Sequence, residues 1–144
     1  MQKAISVLVI DDDATIRMLL KTSMTKKGFK VVCASNGHDG LDIAKSEEVD
    51  VILLDWMMPE MDGMEVLTEL KRDSNTMYIP VFMLTSKEDA RDIDLATNKG
   101  AVDYIVKPFN AFLVPEMVQK HLEKIHHGSA GRKGSFFGKL FSRH

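Results

Sequence analysis

The sequence predicts a doubly wound α/β fold, a five-stranded parallel sheet with helices on both faces. Three observations carry this expectation. Five short runs rich in Val, Ile and Leu recur along the 144 residues, and they are near-continuous rather than alternating, as strands buried on both faces require. Longer stretches of helical period separate them, and strand-helix alternation of this kind builds one sheet through right-handed crossovers. At 44% hydrophobic and 28% charged residues, the chain also has the composition and length of one ordinary globular domain.

The elements follow in order. A first strand is expected at Ile5–Ile10. The next segment repeats Ile16, Leu19, Leu20, Ser23 and Met24 at i, i+3, i+4, i+7 and i+8, and Gly28 supplies a stop. Val31–Ala34 forms the second strand, and Asn36 caps a helix reaching about Ser46. After a third strand at Val49–Leu54, a helix starts near Asp62–Gly63 and ends before Asn75. Val81–Leu84 is the fourth strand. Ser86–Asp89 reads as a capping-box variant opening a helix that stops at Gly100. Val102–Val106 is the fifth strand, and a last helix ending near His127 puts Val114, Val118, Leu122 and Ile125 on one face. Pro115 complicates that helix. With Asn110 as N-cap it is the fifth helical residue, and its missing N–H removes a bond to Ala111. Either the helix begins nearer Leu113 or its first turn is distorted.

A change of composition at Gly128–Ser135 marks a linker, so the domain is expected over residues 1–127 with a linker and short tail over 128–144. From Gly128 onward Arg132, Lys133, Lys139 and Arg143 stand without an acid, so a formal charge of −2 conceals −6 on the remainder. Phe136, Phe137, Leu140 and Phe141 would share one helical face, although Gly138 weakens any helix. A disordered tail, a partner-docking segment and contact with a membrane all remain open. The near-neutral balance gives no support for nucleic-acid binding by the domain. Cys33, the single cysteine, allows no intrachain disulfide and reads as a small buried hydrophobe. The N-terminal apolar stretch is too short for a signal peptide, and no segment approaches the ~20 apolar residues of a membrane span, so a cytoplasmic location is expected.

Ligands of parallel α/β sheets gather beyond the carboxyl ends of the strands. There the sequence places Asp11, Asp12 and Asp13 after the first strand, Asp55 after the third, Thr85 and Ser86 after the fourth, and Lys107 after the fifth. Taken singly, each is an ordinary turn or cap residue. Together they bring carboxylates, a hydroxyl and an ammonium to one edge. Carboxylates without Cys or His suit a hard, oxygen-binding cation such as Mg²⁺. A carboxylate beside Mg²⁺ serves either as a ligand or as a nucleophile toward phosphorus, with Lys107 and Thr85 balancing the phosphoryl oxygens.

The segments carrying these residues resemble the receiver domains of bacterial-type response regulators. Val-Leu-Val-Ile-Asp-Asp-Asp-Ala-Thr-Ile-Arg17 is similar to the family's first strand and acidic pair, and Leu-Leu-Asp55-Trp-Met-Met-Pro59-Glu-Met-Asp62-Gly63 to its phosphoacceptor segment. Met-Leu-Thr85-Ser86 and Asp-Tyr104-Ile-Val-Lys107-Pro108-Phe109 match its switch and lysine segments. The resemblance covers roughly residues 4–127 and implies a flavodoxin-like (βα)5 fold with strand order 2-1-3-4-5. It further implies Asp55 as phosphoacceptor, with Mg²⁺ held by Asp11, Asp12, Asp55 and the backbone carbonyl of Met57. Thr85 and Lys107 would bind phosphoryl oxygens, and Thr85 with Tyr104 would form the switch. Asp13 falls outside this set and reads as a helix-start residue. Lys107-Pro108 resembles the family's cis peptide.

The implied function is phosphorylation-controlled signalling. A sensor histidine kinase or phosphotransfer protein would supply the phosphoryl group, and a protein target would read the fourth helix, fifth strand and fifth helix. The chain would not be a turnover enzyme beyond slow intrinsic autophosphorylation and dephosphorylation. Met57 and Lys87 stand where the family places residues that influence dephosphorylation, and neither helps orient a water, which implies a slow to moderate rate. A phosphorylation-independent adaptor is the alternative, disfavoured by the complete set of acids and lysine. A Mg²⁺-dependent phosphohydrolase would want an acid two residues after Asp55, where Met57 stands. A Rossmann nucleotide site would want a glycine-rich turn after the first strand, and none is present.

Overall fold

Branched apolar side chains favour extended backbone, and the five runs rich in them become five strands. The computed structural model describes residues 3–86 and 90–128. Its strands are β1 (Ser6–Ile10), β2 (Lys30–Ala34), β3 (Val51–Asp55), β4 (Val81–Thr85) and β5 (Asp103–Val106). They pair in parallel in the order β2-β1-β3-β4-β5, as expected. Every residue of β1, β3 and β4 is buried, whereas the edge strands β2 and β5 are partly exposed. Cys33 lies on β2, so it is half-buried rather than fully buried as the sequence suggested. Its apolar neighbours in sequence could not reveal which strand takes the edge.

The helices are α1 (Ala14–Lys26), α2 (Gly37–Ser46), α3 (Gly63–Arg72), α4 (Ala90–Asn98) and α5 (Val114–Gly128). Alternation along each strand divides the core in two. Val7, Val9, Val51, Leu53, Phe82 and Leu84 pack against Leu20 and Met24 of α1 and Val114, Val118 and Leu122 of α5. Leu8, Ile10, Ile52, Leu54 and Met83 face the other way, against Leu41 of α2, Val66, Leu67 and Leu70 of α3 and Ala96 of α4. No described helix is long and apolar enough to cross a membrane.

Several local expectations are met, one is corrected and one open alternative is resolved. Asn36 caps α2, Asp62 and Glu65 form a reciprocal capping box on α3, and Gly28 and Gly100 adopt positive φ at helix ends. On α1 the buried stripe is Leu20, Ser23 and Met24, while Leu19 is 41% exposed. A residue is rotated by 100° from its neighbour, so a stripe centred on Leu20 leaves Leu19 at its margin. Pro115 causes no distortion. A 3₁₀ turn, Ala111–Leu113, precedes α5, and the Ala111 carbonyl accepts the Val114 N–H in place of the bond Pro115 cannot make. The helix begins late. The capping residues expected at 87–89, and the linker and tail over 129–144, lie outside the described residues.

Candidate functional site

Parallel pairing brings the polar ends of four strands to one edge of the sheet. Asp11 follows β1, Asp55 closes β3, Thr85 closes β4 and Lys107 follows β5. Main-chain bonds fix their relative heights. The Asp11 N–H donates to the Ala34 carbonyl at 3.2 Å, the Trp56 N–H to Leu84 at 2.9 Å, and the Lys107 N–H to Thr85 at 2.7 Å. The Lys107–Pro108 peptide is cis.

One carboxylate oxygen from each of Asp11, Asp12 and Asp55 lies within 4.8 Å of the other two. Asp11 and Asp55 are buried and Asp12 is exposed, so the cluster opens to solvent on one side. The Lys107 ammonium donates to Asp11 Oδ2 and to Asp55 Oδ1, each at 3.1 Å. Asp11 Oδ1 accepts the Asp13 N–H at 2.9 Å. Asp13 in turn caps α1, accepting from the Thr15 and Ile16 N–H groups, which is the helix-start part expected of it.

Among the described residues three carboxylates face one ammonium, and the electrostatics show the imbalance. Burial first, then the Asp11 charge, push the Asp55 carboxyl up to about 7, against the pull of Lys107 and with a further upward push from a hydrogen bond with Asp12. Burial works against the Lys107 ammonium, but the hydrogen bonds and charges of Asp11 and Asp55 outweigh it and hold its pKa above the usual lysine range. The all-oxygen donor set and the uncompensated negative charge both fit a hard divalent cation.

Thr85 is buried beside this cluster at the end of β4. Tyr104 pairs in register with Met83, two residues before Thr85, so Tyr104 and Thr85 lie on the same face of the sheet. Tyr104 is 37% exposed and the Met57 side chain 57% exposed. Lys87 lies outside the described residues.

Two residues bear on the site in ways the sequence did not assign. Arg17 Nη1 donates to the Asp11 carbonyl at 2.7 Å, tying α1 to the first acidic residue. At Gly63, a Cβ would collide with the Asp55 carbonyl oxygen and lie 2.8 Å from the Trp56 Cα. The absence of a side chain lets the first turn of α3 rest on the strand that carries Asp55. An Asp-Gly pair before an amphipathic run signals a helix start. Only the three-dimensional contact reveals the second use of that glycine.

Residues 7–119 match the model of the response regulator receiver domain. The chain belongs to that family. Over 130 residues this receiver domain is 38% identical to the probable transcriptional regulator ycf27 of Porphyridium aerugineum, a match covering 90% of the chain and 52% of the relative. It is 35% identical over 119 residues to the transcriptional regulatory protein AfsQ1 of Streptomyces coelicolor, covering 83% of the chain and again 52% of the relative. The chain thus spans about half the length of these curated relatives. Among solved structures, the chemotaxis protein CheY4 of Vibrio cholerae superposes with a TM-score of 0.78 at 29% identity, covering 82% of this chain and 98% of CheY4.

Proposed function

We propose that this receiver domain accepts a phosphoryl group on Asp55 and signals through protein contacts of α4, β5 and α5. The observation that carries the reading is Lys107, whose ammonium bridges Asp11 and Asp55 beside a third carboxylate, the one cation paired with these carboxylates among the described residues. Asp11, Asp12, Asp55 and the Met57 backbone carbonyl would hold Mg²⁺. When bound, the ion supplies the positive charge that lets an anionic donor approach a cluster of carboxylates.

The remaining work falls to the protein. An Asp55 oxygen attacks phosphorus, a new O–P bond forms, and the bond to the donor breaks with its electron pair leaving on the donor. Lys107 pairs with one phosphoryl oxygen and the Thr85 hydroxyl bonds another. Movement of Thr85 toward the phosphoryl group frees space on the face it shares with Tyr104, coupling the site to the partner-binding surface. The donor is a sensor histidine kinase or a histidine phosphotransfer protein. The domain acts as an acceptor rather than a turnover enzyme, with only slow intrinsic loss of the group, and a cytoplasmic location fits this role. Because the curated relatives are named as regulators of transcription, the near-neutral charge of this chain does not exclude nucleic acid as a target of a longer protein's output.

Incubation with Mg²⁺ and acetyl phosphate, read by intact mass, tests the reading. One acid-stable, base-labile phosphoryl adduct, lost in Asp55→Ala, is the expected result. A folded protein that forms no adduct, and whose Trp56 fluorescence ignores beryllofluoride, would make it a phosphorylation-independent adaptor.

A further inference from the structure

A groove of about 590 Å³ opens between α2, α3 and α4, on the sheet face opposite α1 and α5. Leu41, Met61, Met64 and Leu95 supply its apolar surface, and Leu95 is 46% exposed. Unbranched thioethers adapt to varied apolar shapes. Along α3 the groove is acidic, its lining carrying Asp62, Glu65 and Glu69 against Lys99 at the α4 side. Asp62 and Glu65 spend their hydrogen bonds on backbone N–H groups of the capping box, so among the described residues no side-chain cation is paired with either charge. Among the described residues Glu69 is paired only with the exposed Arg72.

We propose that residues 129–144 of this same chain dock into the groove. Charge complementarity selects them: they carry Arg132, Lys133, Lys139 and Arg143 without an acid, beside a domain of net −6. Phe136, Phe137, Leu140 and Phe141 supply the apolar counterpart to the methionine and leucine surface. Topology permits the path. Every helix here runs back against the parallel strands, so the C-terminal ends of α3, α4 and α5 lie at the amino edge of the sheet. Gly128, at the end of α5, and Lys99, at the groove's α4 side, are both at that edge. Eight further residues reach at most about 26–29 Å, roughly twice the radius of gyration of about 14 Å for a domain of this size. The exposed apolar surface at Phe112 is a poor host. The Lys26 ammonium lies 5.9 Å from the Phe112 ring centroid, with Lys27 next to it in sequence, and would repel a basic segment.

The test places the photocrosslinking residue p-benzoylphenylalanine at Phe137 in the full chain. Illumination is expected to give an adduct of monomer mass, attached within residues 61–69 or at Leu95. Its yield should fall at least about fivefold in Lys133→Glu/Lys139→Glu, the size expected from reversing two exposed charges, and should fall as salt is raised. Leu95→Glu, at an exposed position, should abolish the adduct while Trp56 emission reports an intact fold. Adducts of dimer mass, adducts mapped to α1 or α5, no adduct, or a yield insensitive to these substitutions would each overturn the proposal. So would tail-dependent sedimentation with phosphatidylglycerol vesicles in a chain that gives no intramolecular adduct.

Discussion

Lys107 and Asp55, 52 positions apart in the chain, meet at 3.1 Å. The same ammonium reaches Asp11 at 3.1 Å, so one cation links the ends of three strands. Lys107→Met would leave two buried carboxylates facing each other. Allowing for the partial exposure of Lys107, a stability loss of about 1–2 kcal/mol near neutral pH is expected in the absence of Mg²⁺. Urea titrations with and without Mg²⁺ check it, and added Mg²⁺ should recover part of the loss.

Asp55 gives a pH dependence of definite sign. Its folded pKa, about 7, lies above the ordinary value of 3.8, with burial the main cause and the Asp11 charge second. The folded state therefore binds the proton more tightly, and the stability this contributes is complete below pH 3.8 and lost as pH rises through 7. Asp55→Asn removes that loss. The variant is expected to exceed wild type by about 1–2 kcal/mol at pH 8 without Mg²⁺, with the gap closing toward pH 4. Denaturation curves across this range decide the point. Mg²⁺ affinity should rise over the same interval, since the ion needs the ionised carboxylate.

A methyl group at Gly63 would meet the Asp55 carbonyl and the Trp56 backbone. Backbone cannot yield as a side-chain tip can, so Gly63→Ala is expected to cost about 1–3 kcal/mol and to weaken Mg²⁺ binding. Equilibrium unfolding followed at Trp56, together with a Mg²⁺ titration, measures both. Unchanged values would mean that α3 shifts freely.

His121 of α5 packs edge-on against Phe82, ring centroids 5.3 Å apart, and its Nε2 is buried without a hydrogen-bond partner among the described residues. Burial, aided by Lys124 and opposed by Asp103, lowers its pKa below 6.5. The unfolded chain then takes up a proton that the folded chain resists, so this contribution is present above pH 6.5 and is lost as pH falls. His121→Phe should flatten that part of the stability profile and raise stability by up to about 1 kcal/mol. An imidazole titration by NMR with a midpoint at or above 6.5 would contradict the assignment.

Met57 is exposed two residues after Asp55, the proposed acceptor, and its thioether cannot orient an attacking water. Met57→Asn is expected to shorten the lifetime of the phosphorylated protein, read as decay of the mass adduct. An unchanged half-life would place the control of hydrolysis elsewhere.

Much of this was legible in the chain itself. The alternation of strands and helices, the Asn36 cap, the helix start near Asp62 and the polar residues Asp11, Asp55, Thr85 and Lys107 at strand ends follow from period and polarity. The strand order, by contrast, came with the resemblance to receiver domains. The exposure of Leu19 and Cys33 was not legible, because burial there depends on which strand lies at the edge and how far α1 rotates. Pro115 left two readings open, which the 3₁₀ turn at Ala111–Leu113 resolved.

By itself the sequence determined the pattern of strands and helices and the type of residue at each strand end, because period and polarity are local properties. Tertiary structure alone decided the distances. It set the carboxylates within 4.8 Å, brought Lys107 onto two of them, and laid α3 on the Asp55 backbone through Gly63. The reason is physical. A pKa or an ion pair depends on separation and burial in space, and neither is a property of residues taken in order along the chain.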